Sequence, residues 1–221
     1  MAEHLVNSFA DFHDIVTKYS DIAVVFRGVR SVDFELLPKI GRYRKLHLTD
    51  RQKEERQILK LFKDQAMPHL NFQPEDDWEW LALAQHHGLP TRLLDWSRNP
   101  LVSAYFAVEE SHDGDSAVYA YRSSKSLKEK RGSPFDINSV ERFIPRHVTR
   151  RITSQAGLFT AHPDPTRPFE SRAAVDRLII KQAFRKNLKS ILFRYGIHRA
   201  SLFPDLDGLS KHIEWMRTDS Y

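Results

Sequence analysis

Apolar positions recur along this chain at two spacings, and the change from one to the other sets the expected order of elements. Behind Ser8, a good helix cap, Phe12, Ile15, Val16 and Tyr19 fall on one side of a helix over 8–20. Residues 22–26 are an unbroken, largely β-branched apolar run, the length of a buried strand, and place Arg27 at the strand end with Gly28 behind it. Thr49 and Gln52 stand at capping-box spacing ahead of a helix with Ile58, Leu61, Phe62 and Gln65 on one face. Asp76 and Asp77 open another, in which Trp78, Leu81, Ala82 and Gln85 share a face. Gly88 ends that helix and Pro90 prevents its continuation. The stretch 91–96 suits a strand, and Asn99-Pro100 reads as cap and first residue of a helix through Leu101, Ala104, Tyr105 and Val108.

Further on, 117–121 alternates as a strand, 123–134 is a polar, basic loop, and Pro163, Pro165 and Pro168 mark a second loop. Residues 178–181 suit a strand. Phe184, Leu188, Ile191 and Tyr195 suit a helix ended by Gly196, 197–203 a short strand, and Leu206, Leu209, Ile213 and Met216 a final helix. Strands and helices mix without strict βαβ alternation, so the expected class is α+β: one compact domain over 1–221, an N-terminal helix at 8–20 and a core over 21–217, with small mixed sheet surface flanked by helices.

Composition narrows the function classes. With 41% hydrophobic and 29% charged residues among 221, the chain can bury a sizeable core. The absence of cysteine excludes a disulfide framework and thiol or cysteine-zinc chemistry. The N-terminus lacks the basic-then-apolar pattern of a secretory signal and no apolar run approaches ~18 residues, so no membrane span is expected and the expected location is cytoplasmic. The net charge of +5 is concentrated in 181–199, where Lys181, Arg185, Lys186, Lys189, Arg194 and Arg199 meet no acid. Such a stretch suits RNA or DNA phosphates, or an ordinary solvated helix face.

The phosphate-cradling GxxxxGK[ST], the dinucleotide GxGxxG, the nucleophile-elbow GxSxG and the zinc HExxH are all absent. Of 11 histidines, the close pair His86-His87 would point apart on a helix, so no metal site is expected. Three constellations remain. Arg27 near the end of a buried strand can grip a phosphate through two parallel hydrogen bonds, and Gly28 lets backbone or ligand approach closely. The segment 85–96 packs His86, His87, Thr91, Arg92, Asp95 and Trp96 between two helices. Trp96 can stack on a planar ring, and the helix N-terminus at Pro100 favours anions. The same segment equally suits an Arg92–Asp95 ion pair, Trp96 in the core and a histidine as helix cap. The third, 151–160, offers the Gln155 carboxamide beside Gly157, or simply a turn before a strand.

The pieces VVFRGV, QHHGLPTRLLDWSRNPLVSAYFA, RITSQAGLFT and SLFPDLDGL together resemble the FRG-domain family, which is named for the Phe-Arg-Gly present here as Phe26-Arg27-Gly28. That family is found largely in bacteria and phages, which implies a role in their conflict. The order of elements is in turn similar to the Arg-Ser-Glu class of ADP-ribosyl transferases. This implies NAD as substrate, with Arg27, His86 and Gln155 as catalytic groups. The NAD contacts would be Arg27, Gly28, His87, Thr91, Arg92, Asp95, Trp96 and Ser97. Of that class's Ser-Thr-Ser motif only Ser97 matches by type, and Asp95-Trp96 departs from it. No residue matches its catalytic Glu; Gln155 lies in the right order, with Glu141 and Asp205 as the other acids considered. The implied activity is an NAD-dependent ADP-ribosyl transferase or NAD glycohydrolase of toxin or defence type, partnered by nucleic acid at 181–199 and by a neutralising antitoxin. A non-enzymatic nucleotide- or nucleic-acid-binding domain and a metal-independent RNase based on His86 or His87 remain the alternatives.

Overall fold

Most helices begin where a side chain accepts an otherwise orphaned backbone N–H. Ser8 and Asp11 form a capping box on α1 (Phe9–Val16), Asp76 caps α3 (Asp77–His86), Asn99 caps α4 (Pro100–Val108) and Asp205 caps α8 (Leu206–Arg217). The computed structural model describes residues 2–122, 132–146, 150–169 and 175–218. The polar loop expected over 123–134 lies largely outside them.

The strands are β1 (Glu3–Val6), β2 (Val24–Val29), β3 (Leu93–Ser97), β4 (Ser116–Arg122), β5 (Glu141–Phe143), β6 (Gly157–Ala161) and β7 (Val175–Ile180). Among the described residues they form one seven-stranded sheet in the order β1-β7-β4-β2-β3-β6-β5. Only β1 and β7 run parallel in it; the other pairs are antiparallel. The remaining helices are α2 (Arg51–Ala66), α5 (Arg150–Ser154), α6 (Gln182–Arg194) and α7 (Arg199–Leu202). The class is α+β, as expected. Among the described residues no helix is long and apolar enough to cross a membrane.

Strand alternation divides the core. Val24 and Phe26 of β2 join Val118, Leu178 and Ile180 under α1, α4 and α6. Val25 and Val29 point the other way, into a cluster with Leu94, Trp96, Tyr119 and Leu158. A third cluster packs α2 and α3 onto β3 and β6 through Leu59, Trp78, Leu81, Leu93 and Phe159.

The chain departs from local expectation in several places. The first central strand starts at Val24 and runs on through Val29, so Arg27 is mid-strand; Ile22, 87% exposed, lies outside it. Pairing with β4 along its whole length is what extends it. The first helix stops at Val16 rather than 20. Asp50, not Thr49, caps α2, and the buried side of that helix carries Glu54, Glu55, Leu59 and Ala66 while Leu61 is exposed. Two carboxylates turn inward because Leu48 N–H donates to Glu54 and Arg92 donates to Glu55. The stretch 151–160 is the end of a helix, then a turn at Gln155-Ala156 and β6, so the turn before a strand is preceded by helix and Ile152 packs from α5. Residues 199–202 are helical, not extended: Gly196 at φ +76 ends α6 and the His198 side chain accepts Ser201 N–H to start α7.

The basic stretch is also not one basic face. Arg185 is buried and donates to the carbonyls of Glu110 and His112, while Lys189 is buried against the carbonyl of Glu109. Lys181 pairs with Asp115 and Arg199 with Glu109. Of the six cations, Lys186 and Arg194 stand exposed. The turn after α4 collects the others: outgoing carbonyls at the helix end attract Arg185 and Lys189, and the Asp115 and Glu109 carboxylates hold Lys181 and Arg199.

Candidate functional site

A cleft opens where the sheet is weakest. Strands β2 and β3 are neighbours, yet pair only at Phe26 opposite Ser97, whereas β2 and β4 pair along all six residues of β2. Past that bridge the ladder is missing and a side chain substitutes for it. One guanidinium nitrogen of Arg27 donates to the Asp95 carbonyl at 2.6 Å and lies 3.4 Å from the Asp95 carboxylate. The cleft beside it has a volume of about 310 Å³ and is walled by Arg27, Asp95, Gln85, Phe106, Arg151 and Gln155, with Gly28, Trp96, Ser97 and Ser103 also lining it.

Asp95 is the exposed member of β3, its side chain 54% accessible, against 18% for Arg27. Besides Arg27, Gln85 holds it, donating to Oδ2 at 2.9 Å while accepting from the Thr91 hydroxyl at 2.6 Å. The carboxylate is thus oriented by two groups and still open to a ligand. Arg151, half-buried, lies over the Phe203 ring at 4.2 Å and donates to the His86 carbonyl at 3.5 Å. Arg42 lies within electrostatic range of the same cluster: burial and the neighbouring Arg27 charge lower its pKa, and Asp95 opposes them. Several guanidiniums around one carboxylate leave the cleft positive, a setting for phosphate or another anion.

The structure brings together part of what the sequence suggested. Arg27, Gly28, Asp95, Trp96, Ser97 and Gln155 all border the cleft. The role expected of Trp96 fails: the residue is 3% exposed and its indole N–H donates to the Thr160 hydroxyl at 2.8 Å, so it belongs to the core and presents no ring face to a ligand. The role expected of Arg92 fails as well. It is 1% exposed and grips Glu55 in a two-pronged ion pair at 2.8 and 3.1 Å, not Asp95 and not a ligand. Thr91 is buried and serves by orienting Gln85. Gly28 leaves room for helix backbone, since a Cβ there would sit 1.9 Å from the Ser103 carbonyl oxygen. Ser97 donates to the Gln155 carbonyl at 2.7 Å and accepts from Asn99 N–H, and the Gln155 amide donates to the Leu202 carbonyl. Gln155 is followed by Ala156 at φ +46, a left-handed conformation that costs energy for a residue with a Cβ.

His86 and His87 lie at the end of α3, outside the cleft wall. His87 is exposed and edge-on to His86 at 4.8 Å. Burial, with the charge of Arg151 adding, pushes His86 down to about 4, so its imidazole is neutral at neutral pH. Glu141 lies on the edge strand β5, two strands from β3, and Asp205 lines an adjoining cavity. Sequence reading gave no ligand role to Gln85, Arg151, Ser103 or Phe106. Arg151 carried a signal: it stands four residues before Gln155, the spacing that puts both on one side of a helical turn.

Behind the cleft, Thr160 accepts from Trp96 and contacts His162 Nε2 at 2.9 Å. Burial, with Arg27 and Arg92 adding, lowers His162 to about 3 from the ordinary 6.5. His86, His198 and His212 are lowered as well, chiefly by burial. Below pH 6.5 the unfolded chain takes up protons that these folded imidazoles refuse, so stability falls as the pH drops from about 6.5 toward 4.5. Urea midpoints measured across that window should decline, and less steeply in His162→Gln; an unchanged slope in that variant would remove His162 from the account.

The sequence pattern of the FRG domain matches residues 22–116. That span contains β2, α2, α3, β3 and α4, hence Arg27, Gln85, Asp95 and Phe106, while Arg151 and Gln155 come from beyond it. No curated protein and no solved structure matches the chain.

Proposed function

We propose that this cleft, most of which is supplied by the segment that matches the FRG domain, binds NAD and breaks its nicotinamide–ribose bond, as an ADP-ribosyl transferase or NAD glycohydrolase. The observation that carries this reading is the exposed Asp95 carboxylate held between Arg27 and Gln85 in a pocket otherwise rich in guanidinium. Sequence comparison with the transferase class left the acid unassigned; in this reading Asp95 supplies it. With the Trp96 indole and the Phe26 ring both buried, the half-buried Phe106 is the aromatic side chain on the cleft wall open to meet the nicotinamide ring.

Arg27 binds the phosphate nearest the reacting ribose by charge-assisted hydrogen bonds. The bond between the ribose anomeric carbon and the nicotinamide nitrogen breaks, and its electron pair leaves with nicotinamide. The ribose passes through an oxocarbenium-like state whose positive charge the Asp95 carboxylate stabilises. Water or an acceptor hydroxyl forms the new bond to the anomeric carbon and releases its proton to Asp95 or solvent. Loss of NAD from a cell is the physical link to a toxin or defence role.

The test is nicotinamide release from NAD. Asp95→Asn, nearly the same shape without the charge, should lower turnover by about a hundredfold or more while NAD still binds. Arg27→Ala should lose binding itself. Turnover at the wild-type rate in Asp95→Asn would sink the assignment. Because the carboxylate is already engaged by two neighbours, a second reading is a nucleotide-binding domain without turnover; NAD bound tightly and recovered intact selects it.

A further inference from the structure

Arg151 borders two cavities. One is the cleft of Arg27 and Asp95; the other, about 440 Å³, is walled by Arg199, Phe203, Asp205, Asp207, Ser210 and Lys211 on the α7–α8 side, with Gly208. The first cavity, at about 310 Å³, is at the small end of what ligand pockets measure, roughly 300–1,000 Å³, and is small for an entire dinucleotide. The two cavities adjoin at one shared side chain, and it is a guanidinium. Phe203 braces it: Arg151 and Arg199 lie over that ring at 4.2 and 4.0 Å. Arg199 is neutralised by Glu109. Arg151 has no comparably close acid: among the described residues its guanidinium makes one hydrogen bond, at 3.5 Å, to the His86 carbonyl. A braced guanidinium with most of its five N–H donors available, at the junction of two cavities, is placed to hold an anion.

Resting on the reading that the cleft takes NAD, we propose that the ligand straddles Arg151. In this arrangement Arg27 binds the first phosphate, Arg151 binds the second, and the adenosine half lies in the adjoining cavity. There Asp207 is the acid placed to accept from ribose hydroxyls; Asp205 is engaged in capping α8 through Gly208 N–H. The selected substrate class is therefore a diphosphate-bridged nucleotide in preference to a mononucleotide. Arg151 is the residue that measures the difference.

Calorimetry on the full chain tests this with two probes: ADP-ribose, which lacks the scissile bond, and nicotinamide mononucleotide, which keeps it and is therefore titrated in an Asp95→Asn background. Arg151→Ala should weaken ADP-ribose by about tenfold or more and leave nicotinamide mononucleotide within about twofold, while Arg27→Ala weakens both. Arg151→Lys, which keeps the charge but not the planar fork, should recover part of the ADP-ribose affinity and guards against a folding defect in the alanine variant. Equal losses for both probes in Arg151→Ala would mark a merely structural role and overturn the proposal, as would no loss for either. Should ADP-ribose fail to bind the unsubstituted protein, the NAD reading of the cleft itself falls; should it bind equally to both proteins, only the role of Arg151 falls.

Discussion

Glu55→Ala should destabilise the protein by about 3–5 kcal/mol, because it leaves the Arg92 guanidinium charged and without its carboxylate inside the core. Arg92 is 1% exposed and Glu55 5%. Arg92 donates to Glu55 at 2.8 and 3.1 Å, spans to the Pro134 and His162 carbonyls at 3.3 and 3.4 Å, and lies over the Phe135 ring at 4.9 Å. The pair thus joins α2, β3 and the segments before β5 and after β6. For a chain of this length the loss corresponds to a fall in Tm on the order of 10 °C. The double change Glu55→Leu with Arg92→Met should recover much of it, since an apolar pair of similar volume avoids the desolvation cost that the ion pair carries. Thermal denaturation of the single and double variants decides. A single variant within about 1 kcal/mol of the parent would show that water reaches the guanidinium and that the pair is not the buried tie described here.

The second large effect belongs to Gly28→Ala. A Cβ at that position would lie 1.9 Å from the Ser103 carbonyl oxygen and 2.7 Å from the Ala107 nitrogen, both helix backbone atoms that cannot rotate aside. Strand β2 and helix α4 would have to separate, with a cost of about 3 kcal/mol, the upper end of ordinary overpacking. Gly88→Ala is the instructive contrast. Gly88 sits at φ +84 with nothing within 4 Å of a built Cβ, so only backbone strain opposes the change, at about 1 kcal/mol. Urea denaturation should rank the two variants in that order. Because α4 also carries Ser103 and Phe106 into the cleft, Gly28→Ala should reduce ligand binding even in the fraction that folds. Equal stability for the two glycine variants would mean that the helix yields without cost, and the close approach would lose its meaning.

The Phe-Arg-Gly tripeptide therefore combines three separate jobs. Phe26 makes the lone backbone bridge to Ser97, and Gly28 seats α4. Arg27, facing the opposite side of the strand from both by alternation, spans the gap to β3 that this single bridge leaves. A site made at an unpaired stretch between central strands has unsatisfied backbone acceptors to hand, and the Asp95 carbonyl is one that Arg27 satisfies.

What the sequence determined by itself was local. Ser8, Asp76 and Asn99-Pro100 start helices, and Gly88 and Gly196 end them, because a cap or a left-handed turn depends on residues within a few positions of one another. The α+β class followed from the same local periodicities, and the FRG resemblance from contiguous segments. The tertiary structure alone decided the rest: that Arg92 pairs with Glu55, 37 positions away, and not with neighbouring Asp95; that Trp96 turns into the core while Asp95 faces the cleft; and that Arg185 and Lys189 are drawn in by carbonyls at the end of α4. A charge is stabilised by whichever partners the fold brings within a few ångströms, and sheet order, which a one-dimensional pattern does not encode, sets those partners.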